Sequence, residues 1–244
     1  MIDIHTHILP GIDDGARNEN ISIKMLHAEL KAGVQQIFLT PHFNCETTSI
    51  DAFIENRQSA FERLSDAVGS EPMPELRLGA EVRYSPALLN LPLEEIVLNN
   101  NYLLLELPFH HYPAHIKQVI MDLDASGITP ILAHVERYRF FRDDPELLYS
   151  LIQSGAMGQV NVSSLEDKKD RGFAKACLNN SLAHFVASDT HNMTDRAPCM
   201  DMVPHILSES MIELLEKYSD ALWEDETPYY FDAHEIKKTI FGYK

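Results

Sequence analysis

Short apolar runs alternate along the chain with longer stretches in which apolar residues recur every three or four positions. The runs predict strands at 1–5, 34–39, 76–79, 102–105, 129–133, 157–162 and 183–187. The periodic stretches predict helices at 18–32, closed by Gly33, and at 49–68, before the turn Glu71-Pro72-Met73-Pro74. Further helices are expected at 114–126, from Asp144-Pro145 to about Ser154, over most of 164–180, and at 203–217. This makes about seven β/α units. Strands separated by helices predict a parallel sheet. No linker, repeat or low-complexity stretch divides the units, so one domain over 1–244 is expected.

At six of the seven predicted strand ends an imidazole or a carboxylate follows. Asp3-Ile4-His5-Thr6-His7 comes first, then Pro41-His42, Gly79-Ala80-Glu81, Leu105-Glu106, Ala133-His134 and Ser188-Asp189-Thr190-His191. Residues two apart on a strand point to one face, so His5 and His7 form a pair, and Asp189 and His191 repeat the spacing. Ligands at strand C-terminal ends, drawn from the whole chain, predict closure into a distorted (β/α)7 TIM-like barrel whose C-terminal face carries the chemistry. A doubly wound open sheet is the alternative, but it would struggle to bring the first and last strands together.

With Asp14 the candidate ligands are His5, His7, Asp14, His42, Glu81, Glu106, His134, Asp189 and His191. These are too many for one ion at four- to six-coordination and suit two or three. Imidazole and carboxylate without thiolate favour Mn, Fe or Zn. Three divalent ions would outweigh Asp14, Glu81, Glu106 and Asp189 and leave the site at about +2, which suits a phosphate dianion. Arg137 lies three residues after His134, and Arg196 five after His191. Arginine binds phosphate oxygens bidentately and stabilises developing charge, so both are candidate catalytic residues. His27, His110, His111, His115, His184, His205 and His234 lack such company and are read as structural.

Composition narrows the classes. A net charge of −17 opposes nucleic acid and anionic membranes as partners. No apolar run approaches the roughly 20 residues of a membrane span, and no signal peptide is visible. Cys45, Cys177 and Cys199 make no disulfide framework, which fits a cytoplasmic protein. Cysteine-based phosphate chemistry needs Cys-x5-Arg, but Asp51, Ala183 and His205 stand in the arginine position. A Gly-rich phosphate loop is absent as well.

Taken together, these residues resemble the PHP (polymerase and histidinol phosphatase) superfamily, nearly end to end. The carriers are Asp3-Ile4-His5-Thr6-His7-Ile8-Leu9-Pro10-Gly11 with Asp13-Asp14-Gly15, then Thr40-Pro41-His42, Gly79-Ala80-Glu81 and Leu105-Glu106. Ala133-His134-Val135-Glu136-Arg137-Tyr138 and Ala187-Ser188-Asp189-Thr190-His191-Asn192 complete the series. The series is most similar to the bacterial metal-dependent protein-tyrosine phosphatases of capsule and exopolysaccharide gene clusters. Asp14, where the wider superfamily often has His, favours that branch.

The resemblance implies a PHP-fold barrel with three divalent ions, Mn foremost. One ion would take His5, His7, Glu81 and Asp189. A second would take Glu81, Glu106 and His134, and a third Asp14, His42 and His191. Arg137 and Arg196 match the branch's phosphate-binding arginines. The implied reaction is attack of metal-bound water or hydroxide on phosphotyrosine, and the implied substrate is the Tyr-rich C-terminal tail of a bacterial kinase controlling polysaccharide synthesis. A PHP phosphoesterase acting on histidinol phosphate and a catalytically silent PHP binding module are the alternatives. Some members carry a basic loop after the His42 position, whereas residues 43–49 here have none. Tyr138 is placed either beside the substrate ring or on the rim. The aromatics Tyr229, Tyr230, Phe231 and Tyr243 of segment 223–244 are read as packing.

Overall fold

The computed structural model describes residues 1–226, 232–239 and 242–243. The chain runs β1 (Ile2–Thr6), α1 (Glu19–Lys31), β2 (Gln36–Leu39), β3 (His42–Phe43), α2 (Ile50–Val68), β4 (Glu75–Leu78), β5 (Glu81–Arg83) and β6 (Tyr102–Glu106). It continues with α3 (Ile116–Ala125), β7 (Thr129–Leu132), α4 (Arg139–Asp143), α5 (Pro145–Ile152), β8 (Met157–Asn161), α6 (Arg171–Asn179), β9 (Phe185–Ala187), α7 (Val203–Ile206) and α8 (Glu209–Trp223). A small antiparallel pair follows, β10 (Lys238–Thr239) with β11 (Gly242–Tyr243).

The helix starts follow local chemistry. Asn18, Ser49 and Asp144 each accept a hydrogen bond from a first-turn amide of α1, α2 and α5, which satisfies an amide the helix itself leaves open. Two expected helices are broken where the periodicity suggested continuity. Residues 164–180 hold a 3-10 turn and α6, because the Asp167 carboxylate accepts from the amides of Lys169 and Asp170 and competes with helical bonding between them. Residues 203–217 divide into α7 and α8 where Ser208 caps a new start, and α8 runs on to Trp223.

β1, β2 and β4 form one parallel group; β3, β5, β6, β7, β8 and β9 form another. β2 and β3 are interrupted by Thr40 and Pro41, and β4 and β5 by Gly79 and Ala80, yet amide bonds from Gly79 to Leu39 and from Glu81 to Pro41 carry the pairing across both breaks. Counting each interrupted strand once, the parallel strands number seven. Arg57, buried on α2, donates to the Gly79 and Glu95 carbonyls at 2.7 and 2.8 Å and braces the second break.

The sheet curls. Ile2, Ile4, Phe38, Leu104, Ile131, Met157 and Phe185, from six strands, share one apolar cluster with Tyr218, Leu222 and Trp223 of α8. Strands so far apart in sheet order can pack on one cluster only if the sheet bends around it. A second, larger cluster lies between the sheet and its helices. The first and last parallel strands also meet: the amides of Asp189 and His7 donate to the carbonyls of His5 and Thr190 at 3.0 and 2.9 Å. Tyr229, Tyr230 and Phe231 lie outside the described residues. Tyr243 packs on Phe173 and donates its hydroxyl to the Arg142 carbonyl at 3.0 Å, in line with a packing role.

Candidate metal centre

At the C-terminal ends of these strands the predicted residues converge. A bulge in the β1–β2 register between Asp3 and Thr6 accompanies the turn of His5 and His7 inward. Their Nε2 atoms stand 3.1 Å apart, fully buried. Opposite them is Glu81, the first residue of β5. Its Oε2 lies 3.3 Å from each of those nitrogens and 2.8 Å from His42 Nδ1, and its Oε1 lies 2.9 Å from His134 Nε2. Asp189 Oδ1 lies 3.5 Å from both His5 and His7 Nε2. Asp14 Oδ1 is 3.3 Å from His42 Nε2 and 3.5 Å from His191 Nε2. Glu106 stands further off, 3.9 Å from His134 Nε2.

Ligand atoms within 4.8 Å of one another form three groups: His5, His7 and Glu81; His42, Glu81 and Glu106; and His7, Asp14, His42 and His191. The groups share His7, His42 and Glu81, so they form one continuous centre. Both arginines reach it through Asp189. Arg137 Nη1 is 3.2 Å from Oδ2, and Arg196 Nη2 is 2.7 Å from Oδ1. His134 and Asp189 adopt left-handed backbone, at φ 35° and 52°. Non-glycine residues carry a strain cost there, which is borne where a side chain must be aimed.

The electrostatics describe a pocket that demands positive charge. Burial depresses His5, yet the Glu81 and Asp189 carboxylates carry it up to about 9. His42 likewise reaches about 9 against burial, through its bond to Glu81. Glu81 and Asp189 are held well below the usual carboxylate range despite burial, because imidazoles surround them. His191 goes the other way, down to about 3, through burial and the neighbouring His7 charge.

A divalent cation fits this donor set. His5, His7 and His191 each commit Nδ1–H outward, to Gln159 Oε1 at 3.2 Å, Asp13 Oδ2 at 2.8 Å and the Asp189 carbonyl at 3.0 Å. That leaves Nε2 of each facing the carboxylates, the arrangement by which proteins orient metal-binding imidazoles. His191 Nε2 is buried and has no hydrogen-bond partner.

The model of the capsular polysaccharide synthesis family CpsB/CapC matches residues 1–223. The chain belongs to this family. The tyrosine-protein phosphatase YwqE of Bacillus subtilis (strain 168) is 36% identical over 211 residues, covering 80% of this chain and 79% of that protein. The tyrosine-protein phosphatase CpsB of Streptococcus pneumoniae is 31% identical over 226 residues, covering 86% and 90%. A solved chain from crystal structures of these two proteins, described as unique metal-dependent tyrosine phosphatases, superposes with a TM-score of 0.87. It is 32% identical and covers 97% of this chain and 100% of that one.

Within this family member, all nine expected ligands and both arginines fall in one cluster. Three supporting residues escaped the sequence reading. Asp13 bonds His7 and also accepts from the amides of His42 and Gly15 at 3.1 and 2.9 Å. Gln159 accepts from His5 and from the His134 amide at 2.9 Å, and donates to Asn161 at 2.9 Å. Asn161 then donates to Asp189 at 2.8 Å. Gln159 and Asn161 thus join His5, His134 and Asp189 beneath the centre. The available signal was two amides at alternate positions of an otherwise apolar strand. Gly15 completes the arrangement, since a Cβ there would stand 2.1 Å from the His7 carbonyl oxygen.

The structure also corrects the two placements considered for Tyr138. It is fully buried, and its hydroxyl accepts from the Leu107 amide at 2.8 Å. It is a core residue rather than a rim residue, with no exposed ring face to offer.

Proposed function

We propose that this chain is a metal-dependent protein-tyrosine phosphatase of capsular polysaccharide synthesis, built as a single PHP-type domain over 1–244 with a distorted seven-stranded barrel. The observation that carries this reading is the continuous centre of three ligand groups flanked by two arginines on Asp189. Membership in a family whose named relatives are tyrosine phosphatases supports it.

His5, His7, Glu81 and Asp189 would hold one divalent ion, Glu81, Glu106 and His134 a second, and Asp14, His42 and His191 a third. Nitrogen and oxygen donors without thiolate accept Mn, which we favour, and also Fe or Zn. Such ions supply Lewis acidity toward phosphoryl oxygens and lower the pKa of bound water toward about 7. The chain's own residues do the rest. Arg137 and Arg196 donate to the non-bridging oxygens of the phosphoryl group and hold its growing charge. Asp13 and Gln159 keep His7 and His5 in the tautomers that face inward, and Asn161 steadies Gln159 and Asp189. Cys177 and Cys199 are unsuited as nucleophiles: burial raises the Cys177 thiol well above its ordinary value and pushes Cys199 up to about 12, the reverse of what a nucleophile needs.

The physiological substrate we infer is the tyrosine-rich C-terminal tail of a bacterial kinase that controls polysaccharide synthesis, met in the cytoplasm. Among the described residues no helix is long and apolar enough to cross a membrane. The deciding experiment is phosphate release from a phosphotyrosine peptide and from histidinol phosphate, with Mn and then with chelator. Mn-dependent release favouring the peptide is expected. Preference for histidinol phosphate would move the activity to small-metabolite hydrolysis. No release from either by metal-loaded protein would overturn the enzymatic reading.

A further inference from the structure

The loop after β6 carries an aromatic ring to the edge of the centre. Leu107 and Pro113 are buried at its two ends, and the Leu107 amide is held by the Tyr138 hydroxyl. Between them Phe109 remains 37% exposed, the one aromatic among the large apolar side chains that stay exposed in the described residues. An isolated exposed apolar residue is ordinary on a protein surface. The surroundings of this one are not ordinary. Its ring stacks on His134, with centroids 5.5 Å apart and planes 18° from parallel. The Arg137 guanidinium carbon lies 5.0 Å from the same centroid, while its Nη1 reaches Asp189. One guanidinium therefore touches both the carboxylate of the centre and the exposed ring.

We propose that Phe109 is an aromatic wall against which the aryl group of the substrate packs, making it a specificity-determining residue for aryl over alkyl phosphoesters. The inference rests on the phosphatase reading above, in which Arg137 holds phosphoryl oxygens. A phosphoryl group on Arg137 brings whatever is esterified to it alongside Phe109. A phosphotyrosine ring is large enough to meet the wall, and aromatic pairs associate at centroid separations of about 4.5–7 Å in offset or edge-to-face geometry. A short alkyl ester offers no comparable surface. Tyr138, the other aromatic beside Arg137, is sealed in the core and cannot serve. The competing role for Phe109 is support alone, as a cover for His134 or a rest for Arg137. Support would affect every phosphate ligand equally, whereas a wall favours those with a ring.

The test uses two probes, inorganic phosphate and phenylphosphonate, titrated into the Mn-loaded full chain by calorimetry. Phe109→Ala should weaken phenylphosphonate roughly tenfold more than phosphate, the size expected for loss of one aromatic contact plus its buried area. Phe109→Tyr should restore the ratio, and the Mn content of both variants should match the parent. Equal weakening of both probes, or no weakening of phenylphosphonate, overturns the wall. Phosphotyrosine-peptide turnover by the parent chain is measured alongside. Its absence would sink the phosphatase reading while leaving the probe ratio to judge the wall separately.

Discussion

The centre has two halves that are built differently. The deep half is His5, His7, Glu81, His134, Asp189 and His191, all at strand ends or just beyond them and all buried. The rim half is Asp14, His42, Glu106, Arg137 and Arg196; Asp14 is 66% exposed, and His42 and both arginines about a third. His5, His7, His134 and Asp189 of the deep half are tied to Asp13, Gln159 or Asn161 by hydrogen bonds, and on the rim the His42 amide shares Asp13 while the other rim side chains meet mainly the centre itself. A buried charge without partners is costly, so the deep half must be satisfied from every side and becomes rigid. The rim can stay open because water screens it, and openness is what a substrate needs. Position in the fold thus separates holding from reacting.

The sharpest break of that contrast is removal of the hub. Glu81→Ala leaves His5, His7, His42 and His134 facing one another without their shared carboxylate. Metal binding should collapse, and turnover should fall by about 10³-fold or more, as expected for loss of a group on which the whole site depends. Asp14→Ala, at the rim, should lose metal from one group only. Metal content per chain, measured on both variants, checks this. Equal losses would show that the halves are not distinct.

Next comes a rim residue that does not hold metal. Arg137→Ala should lower kcat by about 10²-fold, the scale of losing one charge-stabilising donor, with Mn content unchanged. If metal is lost in proportion to activity, Arg137 serves the deep half by pairing with Asp189, and the division drawn above is misplaced.

The strand-end candidate ligands were legible because each one closely follows an apolar run, and a polar residue there lies on the face where strands converge. His5, His42, Glu81, His134 and Asp189 all follow that rule. Glu106 follows it too, although its distance from His134 shows the weakest engagement. The supporting residues were harder to see. Gln159 and Asn161 sit inside the run that predicts β8, where hydrophobicity alone assigns them to a strand and says nothing of partners. Asp13 is adjacent to Asp14, and sequence cannot tell which of two neighbouring acids turns inward. Phe109 was hidden for a related reason, since a loop aromatic acquires meaning only from the rings it meets. In the fold, β5 passed unread because Val82 is its single apolar residue. The break between α7 and α8 depends on a serine cap within an otherwise periodic stretch.

The supports themselves offer a finer probe. Gln159→Leu removes the acceptor for His5 and for the His134 amide at nearly constant volume, and it leaves Asn161 without its donor. Mn affinity should fall by about 10- to 100-fold, the range for losing a partner that orients a metal-binding imidazole. Asp13→Asn keeps the bond to one side of His7 but removes the charge, and a smaller loss is expected. Calorimetric titration of metal into both variants decides it. Unchanged affinity for Gln159→Leu would mean that strand geometry alone holds the deep half.

The smallest effect tests whether the deep half is special as a place for buried histidine. His184 is buried like His5, but no carboxylate compensates it. Burial pushes it from 6.5 down to about 4, and its Nδ1 accepts from the Gly158 amide at 3.1 Å. Its neutral form belongs to the folded state. Above pH 6.5 the ring is neutral both folded and unfolded, so its protonation costs no stability there. As pH falls from 6.5 toward 4, the unfolded chain binds a proton that the folded chain refuses, and stability declines. At pH 5 the loss is about 2 kcal/mol from this residue. Asn supplies an acceptor for the Gly158 amide without titrating, so His184→Asn should flatten that part of the stability–pH curve and leave neutral-pH turnover alone. Denaturant unfolding of parent and variant between pH 7 and 4.5 gives the answer. Parallel curves would mean that His184 is protonated in the fold, and that an uncompensated buried imidazole differs less from His5 than their surroundings imply.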